Sequence, residues 1–170
     1  MELLLWRHAE AVPGMPDEAR QLSATGKLHA QQMADWLRPR LPSDLLVLSS
    51  PAVRARETAD ALGLPYTLSN ALAKNASATA MRDAAGWPDN PHNVMLVGHQ
   101  PALGELLMLL LGAATPLDAM PKAGIWWLTA QGSPGNVLIG VRAVIGPASL
   151  QSGGLKTRAD SQAGRPAYLP

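Results

Sequence analysis

Two histidines stand where chemistry could be done. His8 follows the apolar run Leu3-Leu4-Leu5-Trp6 with only Arg7 between, and His99 follows Val94-Met95-Leu96-Val97-Gly98. A neutral imidazole can attack phosphorus through one ring nitrogen when a hydrogen bond at the other fixes the tautomer and aims the lone pair. One histidine at a strand end is an ordinary solvated residue. Two of them, each opening a loop into a helix, form a pattern. Neighbouring strand side chains point to opposite faces, so Arg7 and His8 reach one site only if the chain turns at the strand end. A third apolar run, 45–48, empties into Ser49-Ser50-Pro51 and leads to Arg54 and Arg56. A guanidinium matches a phosphate with paired hydrogen bonds, and the first turn of a helix aims free N–H groups at an anion. Arg54 and Arg56 lie about 100° to either side of Ala55 on a helix. Spacing alone leaves open which of them faces the strand ends.

The elements that must position these residues follow from periodicity. The unbroken apolar runs 3–6, 45–48 and 94–97 predict strands buried on both faces, and 125–128 and 137–141 predict two more around a Gly/Pro turn. A weaker strand is expected over 66–68. Ala30, Met33, Ala34 and Leu37 recur at helical spacing after Thr25, the expected cap, until Pro39. Ser50 fits the N-cap of the next helix and Pro51 its first position, with Ala52, Ala55, Ala59 and Leu62 on one face and Gly63 as its stop. A helix is expected between Ser77 and Ala85, a turn over 87–91, and a deeply buried helix carrying Leu103, Leu106, Leu107 and Leu110. Strands alternating with helices imply an α/β sandwich with a mostly parallel sheet, and such sheets bind ligands beyond the carboxyl ends of their strands. After Gly146 the periodicity ends. The expected organisation is one domain over 1–146 and a Gly/Ser/Pro-containing C-terminal tail over 147–170.

Composition removes other chemistries. The chain of 170 residues has no Cys, which excludes a thiol nucleophile, a disulfide framework and a Cys-based zinc site. Lys plus Arg is 14 against 13 for Asp plus Glu, so no bulk field draws it to nucleic acid or a membrane surface. The longest oily run, 106–111, is far short of the roughly 20 residues that cross a bilayer. Residues 1–6 lack the basic stretch of a signal peptide. A cytoplasmic protein is expected, with neither nucleic acid nor membrane as partner.

Three segments together resemble a known family. Arg7-His8-Ala9-Glu10 is similar to the Arg-His-Gly signature of the histidine phosphatase superfamily. Ser49-Ser50-Pro51-Ala52-Val53-Arg54-Ala55-Arg56-Glu57-Thr58-Ala59 resembles its second motif, and Leu96-Val97-Gly98-His99-Gln100-Pro101 its third. Leu22-Ser23-Ala24-Thr25-Gly26 resembles the family's Leu-(Ser/Thr)-x-x-Gly helix start. The resemblance spans about residues 1–145 and is greatest to the SixA-type phosphohistidine phosphatases. It implies a three-layer sandwich with a mostly parallel central sheet flanked by helices, phosphoglycerate-mutase-like. It also implies that His8 is the nucleophile, that Arg7 and Arg54 hold the phosphoryl oxygens, and that His99 donates to the same oxygens. Arg54 is favoured over Arg56 because it stands three residues after Pro51. Ala9 departs from the family's Gly by one methyl group.

Transfer of a phosphoryl group needs positioning and charge stabilisation, which two arginines and a protonated His99 would supply; no metal and no cofactor is expected. Adjacent Arg charges should keep His8 neutral, and bound phosphate should raise the pKa of His99. Larger members of the superfamily place a Glu or Asp after the third strand, whereas this chain reads Asn70-Ala71-Leu72-Ala73-Lys74-Asn75-Ala76 there. Asp83, Asp89 and Glu105 are the nearest acids in sequence and read as helix or turn residues. A phosphohistidine protonated on its remote ring nitrogen departs as neutral imidazole without a new proton, and a sugar phosphate does not. The expectation is therefore a metal-independent phosphohydrolase acting on a phosphohistidine-containing protein through phospho-His8. The alternatives are a phosphatase of small phosphorylated substrates and, in another class, a non-catalytic phosphate-binding or scaffold protein.

Overall fold

Apolar side chains on both faces put the first strand, β1 (Glu2–Arg7), in the middle of the sheet. Leu4 and Trp6 pack into one layer, Leu3 and Leu5 into the other, and all four are buried. The computed structural model describes residues 1–89, 92–112, 120–133 and 136–151. In chain order the remaining elements are α1 (Ala24–Leu37), β2 (Leu45–Ser49), α2 (Val53–Asp60), β3 (Thr67–Leu68), α3 (Ala78–Ala85), β4 (Asn93–Gly98), α4 (Ala102–Leu111), β5 (Ile125–Ser133), β6 (Asn136–Ile145) and α5 (Pro147–Gln151). Among the described residues one sheet holds six strands in the order β3-β2-β4-β1-β5-β6.

The first four strands of that order are parallel, while β5 runs antiparallel to β1 and β6 antiparallel to β5. The sheet is mostly parallel with an antiparallel hairpin on one edge. α1 and α2 cover one face through Ala30, Met33, Ala34, Leu37, Ala55 and Ala59, with Leu62 just past α2 in the same layer. α3 and α4 cover the other through Met81, Ala85, Leu103, Leu106 and Leu107. These are the layers of the expected sandwich. Trp126 and Trp127, neighbours on β5, pack into opposite layers as a strand requires.

Register does the positioning. Arg7 pairs with Gly98 and Ser49 with Val97, so β1, β2 and β4 end in one row. The row continues past the strands, since His8 N–H donates to the Gly98 carbonyl (3.0 Å) and Ser50 N–H to the Val97 carbonyl (2.9 Å). Residues 8, 50 and 99 therefore leave the sheet side by side.

Three local expectations are corrected. Ser23, not Thr25, caps α1: its extended backbone lets Oγ accept from Gly26 N–H at 3.0 Å, and Thr25 lies inside the helix. Ser50 and Pro51 precede α2 rather than start it, because the helix begins at Val53 with Ala52 at the cap position. Residues 147–151 show no clear period in the sequence, yet they form α5, and Leu150 packs against the core. Tail residues 152–170 and positions 90–91 of the expected turn lie outside the described residues. Among the described residues no helix is long and apolar enough to cross a membrane.

Candidate active site

Beyond β1 the chain turns at once, and the turn is held from three sides. Ala9 N–H donates to Thr58 Oγ1 (3.0 Å), the Thr58 hydroxyl donates to the Arg54 carbonyl (2.7 Å), and Ala123 N–H donates to the His8 carbonyl (3.2 Å). The methyl of Ala9 causes no disturbance, because it is buried in the core beneath the turn. Further on, Ser23 Oγ donates to Glu10 Oε1 (2.8 Å) and Ser23 N–H to the Glu10 carbonyl (2.9 Å). Gly26 is required here: a Cβ on it would stand 2.0 Å from that same carbonyl oxygen. The loop from His8 to Leu22 is thus pinned at both ends.

His8 directs Nδ1 to the Ala9 carbonyl (2.7 Å) and receives Arg54 Nε at Nε2 (3.3 Å). The carbonyl accepts a proton and the guanidinium donates one, so the neutral ring carries hydrogen on Nδ1 and a lone pair on Nε2. His99 lies with its ring centroid 5.0 Å from that of His8. Its Nε2 meets Ser50 Oγ at 2.8 Å, and Arg54 Nη2 approaches Nδ1 at 3.4 Å. Arg54, 3% exposed, is the hub of the cluster. Arg56 is exposed beside Tyr66 on the outer side of α2. The ambiguity between them is one of helix phase, and the Ala52–Ala55–Ala59 row facing the core turns Arg54 towards the strand ends. Arg7 donates from Nη1 to the Met120 carbonyl (2.8 Å), and its buried Nε has no hydrogen-bond partner among the described residues.

Burial dominates the electrostatics. It lowers the pKa of His8 to about 4, with Arg54, Arg7 and Lys122 adding to the effect and the Ala9 carbonyl opposing it. His8 is neutral as expected, though desolvation is a larger cause than the neighbouring arginines. His99 falls to about 3, through burial first and then His8 and Arg54, against a raising effect of Asp17. Near neutral pH His99 is therefore neutral, and a protonated His99 needs the added negative charge of an anion beside it.

Asp17 is the residue that sequence reasoning missed. It opens a short 3₁₀ turn (Asp17–Ala19), and its Oδ2 accepts from Arg54 Nη2 at 2.9 Å. Arg20, then Lys74 and Arg54, hold its carboxyl well below the usual carboxylate range. The one sequence signal was the Asp17–Arg20 spacing inside a Pro- and Gly-rich loop, which says nothing of Arg54. Ser50 was read as a helix cap, whereas its hydroxyl orients His99 and only secondarily accepts from Ala52 N–H (3.3 Å). Asp83 pairs with its neighbour Arg82 on the exposed face of α3, and Asp89 and Glu105 are exposed. Among the described residues no group of three or more His, Asp or Glu side chains could hold a metal ion. Chemically, the cluster offers a desolvated nitrogen lone pair beside two guanidinium groups and a second imidazole. That combination suits attack on an anionic, electron-poor centre.

The chain resembles known proteins over the segments that build this cluster. Residues 3–76 match the family described as histidine phosphatase superfamily (branch 1). An uncharacterized protein of Mycobacterium tuberculosis is 30% identical over 152 residues, covering 82% of this chain and 96% of that protein. A phosphohistidine phosphatase SixA homolog of Haemophilus influenzae is 26% identical over 155 residues, covering 82% of this chain and 94% of the homolog. The crystal structure assigned to the phosphohistidine phosphatase SixA of Agrobacterium tumefaciens superposes with a TM-score of 0.69 at 28% identity, covering 86% of this chain and 97% of that one.

Proposed function

The chain belongs to the histidine phosphatase superfamily, and from that premise we propose that it removes phosphate from phosphohistidine in a partner protein, through a phosphoenzyme on His8. The observation that carries this reading is the His8 ring, its Nδ1–H committed to the Ala9 carbonyl and its Nε2 lone pair left against Arg54. A nucleophile so held is aimed and unprotonated before substrate arrives. The relatives named phosphohistidine phosphatases support the choice of substrate.

The chemistry follows from the contacts. Nε2 attacks phosphorus in line with the scissile bond. Arg54, and Arg7 through its unpartnered Nε, hold the phosphoryl oxygens as charge spreads over them. The dianion beside His99 raises that ring's pKa, so His99 takes up a proton and donates it in a hydrogen bond to the same oxygens. The P–N bond breaks and its electron pair goes to the departing ring nitrogen, which leaves as neutral imidazole when the remote nitrogen is already protonated. Water then attacks phospho-His8, the P–Nε2 pair returns to His8, and phosphate departs. No step needs a carboxylic acid. Asp17, held ionised by Arg20, Lys74 and Arg54, has no proton to give near neutral pH.

The test compares hydrolysis of a phosphohistidine protein with that of a panel of sugar phosphates and p-nitrophenyl phosphate. We expect kcat/KM for the phosphohistidine protein to exceed that for every sugar phosphate by on the order of 100-fold or more, because an alkoxide leaves without help only slowly. Efficient turnover of a sugar phosphate would make the small-ester phosphatase the better reading. Binding of vanadate without turnover of any substrate would support a phosphate-binding or scaffold protein.

A further inference from the structure

Asp17 brings a carboxylate into a cluster built to attract anions, where its charge opposes the phosphoryl group. It is no loose stand-in for phosphate. Arg54 Nη1 grips its main-chain carbonyl at 2.6 Å and Arg54 Nη2 its Oδ2 at 2.9 Å. Arg20 Nη1 donates to Oδ1 at 2.9 Å, and the half-exposed Lys74 reaches Oδ2 at 3.3 Å. The side chain is thus held through both oxygens and the residue also through its backbone. A carboxylate accepts about four hydrogen bonds, and three cations engage this one, with the Lys74 contact long and replaceable. Three donors on a group that accepts about four leave one acceptor site for a further donor.

We propose that Asp17 is a positioning residue for the leaving group: it accepts the N–H on the remote ring nitrogen of the phosphohistidine substrate and so keeps that ring protonated. The inference rests on the phosphohistidine reading above. The proton stays on the ring throughout, since Asp17 takes no part in its transfer. As the P–N bond breaks, the bonding pair neutralises the ring's positive charge, and imidazole leaves with its remote N–H intact. A deprotonated ring would have to leave as imidazolate. The same carboxylate explains a preference, for it attracts a cationic leaving group and repels an anionic one.

The sign of the pH effect follows. A negative charge beside the ring favours the ring's protonated form and raises its pKa in the complex. The alkaline limb of kcat reports that value. The charged and titratable groups around Asp17 are Arg20 on its own turn, Arg54 on α2, Lys74 beyond β3 and His99 at the end of β4. Changes in Arg54 or His99 would be felt by any substrate, whereas a change in the ring's pKa is felt only by a substrate that has the ring.

The experiment measures kcat against pH for a phosphohistidine protein and for p-nitrophenyl phosphate, with wild type, Asp17→Asn and Asp17→Glu. Asp17→Asn should lower the alkaline limb for phosphohistidine by on the order of one pH unit. Asp17→Glu should restore part of it, and the limb for p-nitrophenyl phosphate should not move. An unmoved limb for phosphohistidine, or equal movement for both substrates, overturns the assignment. The wild-type protein gives a second arm that needs no variant. Phosphoimidazole methylated on its remote nitrogen is cationic but cannot donate, and its kcat/KM should fall roughly tenfold below that of phosphoimidazole at pH 6; equal turnover overturns the assignment. Wild type that hydrolyses p-nitrophenyl phosphate but not phosphohistidine refutes the substrate reading, and the role of Asp17 falls with it. Turnover of phosphohistidine with an unmoved limb refutes the role of Asp17 alone.

Discussion

The two halves of the sheet do different work. In the parallel half, β1, β2 and β4 deliver His8, Ser50 and His99 to one row, and α2, following β2, adds Arg54. Every link between parallel strands is a crossover, so every strand arrives at the same end. The antiparallel half cannot do this, because β5 leaves the row of strand ends and β6 returns to it. The hydrogen bonds that its leading segment makes to Arg7 are main chain: the Met120 carbonyl accepts from Arg7 Nη1, and the Gly124 carbonyl accepts from Arg7 N–H at 3.0 Å. The outer strand β6 exposes Leu138, Val141 and Val144. Side-chain chemistry is thus concentrated where topology repeats a direction, and the hairpin supplies a wall.

The largest effects should come from the parallel half, and they should be unequal within it. On the proposed mechanism His8→Ala removes the atom that forms the bond, and it should reduce kcat below detection with every substrate. On the same mechanism His99→Ala removes one donor to the phosphoryl oxygens, and it should cost on the order of 10²–10³ in kcat. A denaturing quench at alkaline pH, where a phosphohistidine survives, with a labelled substrate and each variant checks the assignment. Label trapped on the His8→Ala protein would show that another residue is the nucleophile.

Smaller, and still confined to that half, is an effect of acid on stability. An unfolded histidine takes a proton below about pH 6.5, whereas burial keeps His8 and His99 neutral down to about 4 and 3. Between those values the unfolded chain binds more protons, so stability is full above the unfolded pKa and is lost as pH falls towards the folded ones. The depressed Asp17 carboxyl adds a loss of the same sign at still lower pH. Thermal melts from pH 7 to pH 4 should show a falling Tm, and the double variant His8→Asn, His99→Asn should flatten that fall. Equal slopes in both proteins would place the acid sensitivity elsewhere.

How legible these halves were in the sequence differs for a physical reason. β1, β2 and β4 are buried on both faces and read as unbroken apolar runs, and the polar residues that end them stood out by contrast. Arg54 could be told from Arg56 only by resemblance, since the helix phase that separates them depends on packing. Asp17 was invisible because its partner Arg54 lies 37 residues away and its loop has no period. Thr25 was expected as the cap of α1, and the close approach of Gly26 to the Glu10 carbonyl places Ser23 there instead. α5 was missed because five residues hold too little pattern, and its order comes from Leu150 against the core. What failed to show in the sequence was in each case set by a contact between distant segments.

The smallest expected effect tests the wall itself. Leu138 lies on β6, the outer strand of the sheet, opposite Gln131, and is 76% exposed. An exposed side chain away from caps, cavities and buried partners usually changes stability by no more than about 0.5 kcal/mol when replaced. Leu138→Ser should therefore leave Tm within a degree or two and kcat within twofold. It should also reduce self-association at high concentration, because an apolar edge strand invites pairing with another chain. The comparison of halves depends on this silence. A tenfold loss of activity, with Tm unchanged, would mean that the hairpin transmits its conformation through Met120 and Gly124 to Arg7. The antiparallel half would then be part of the working site.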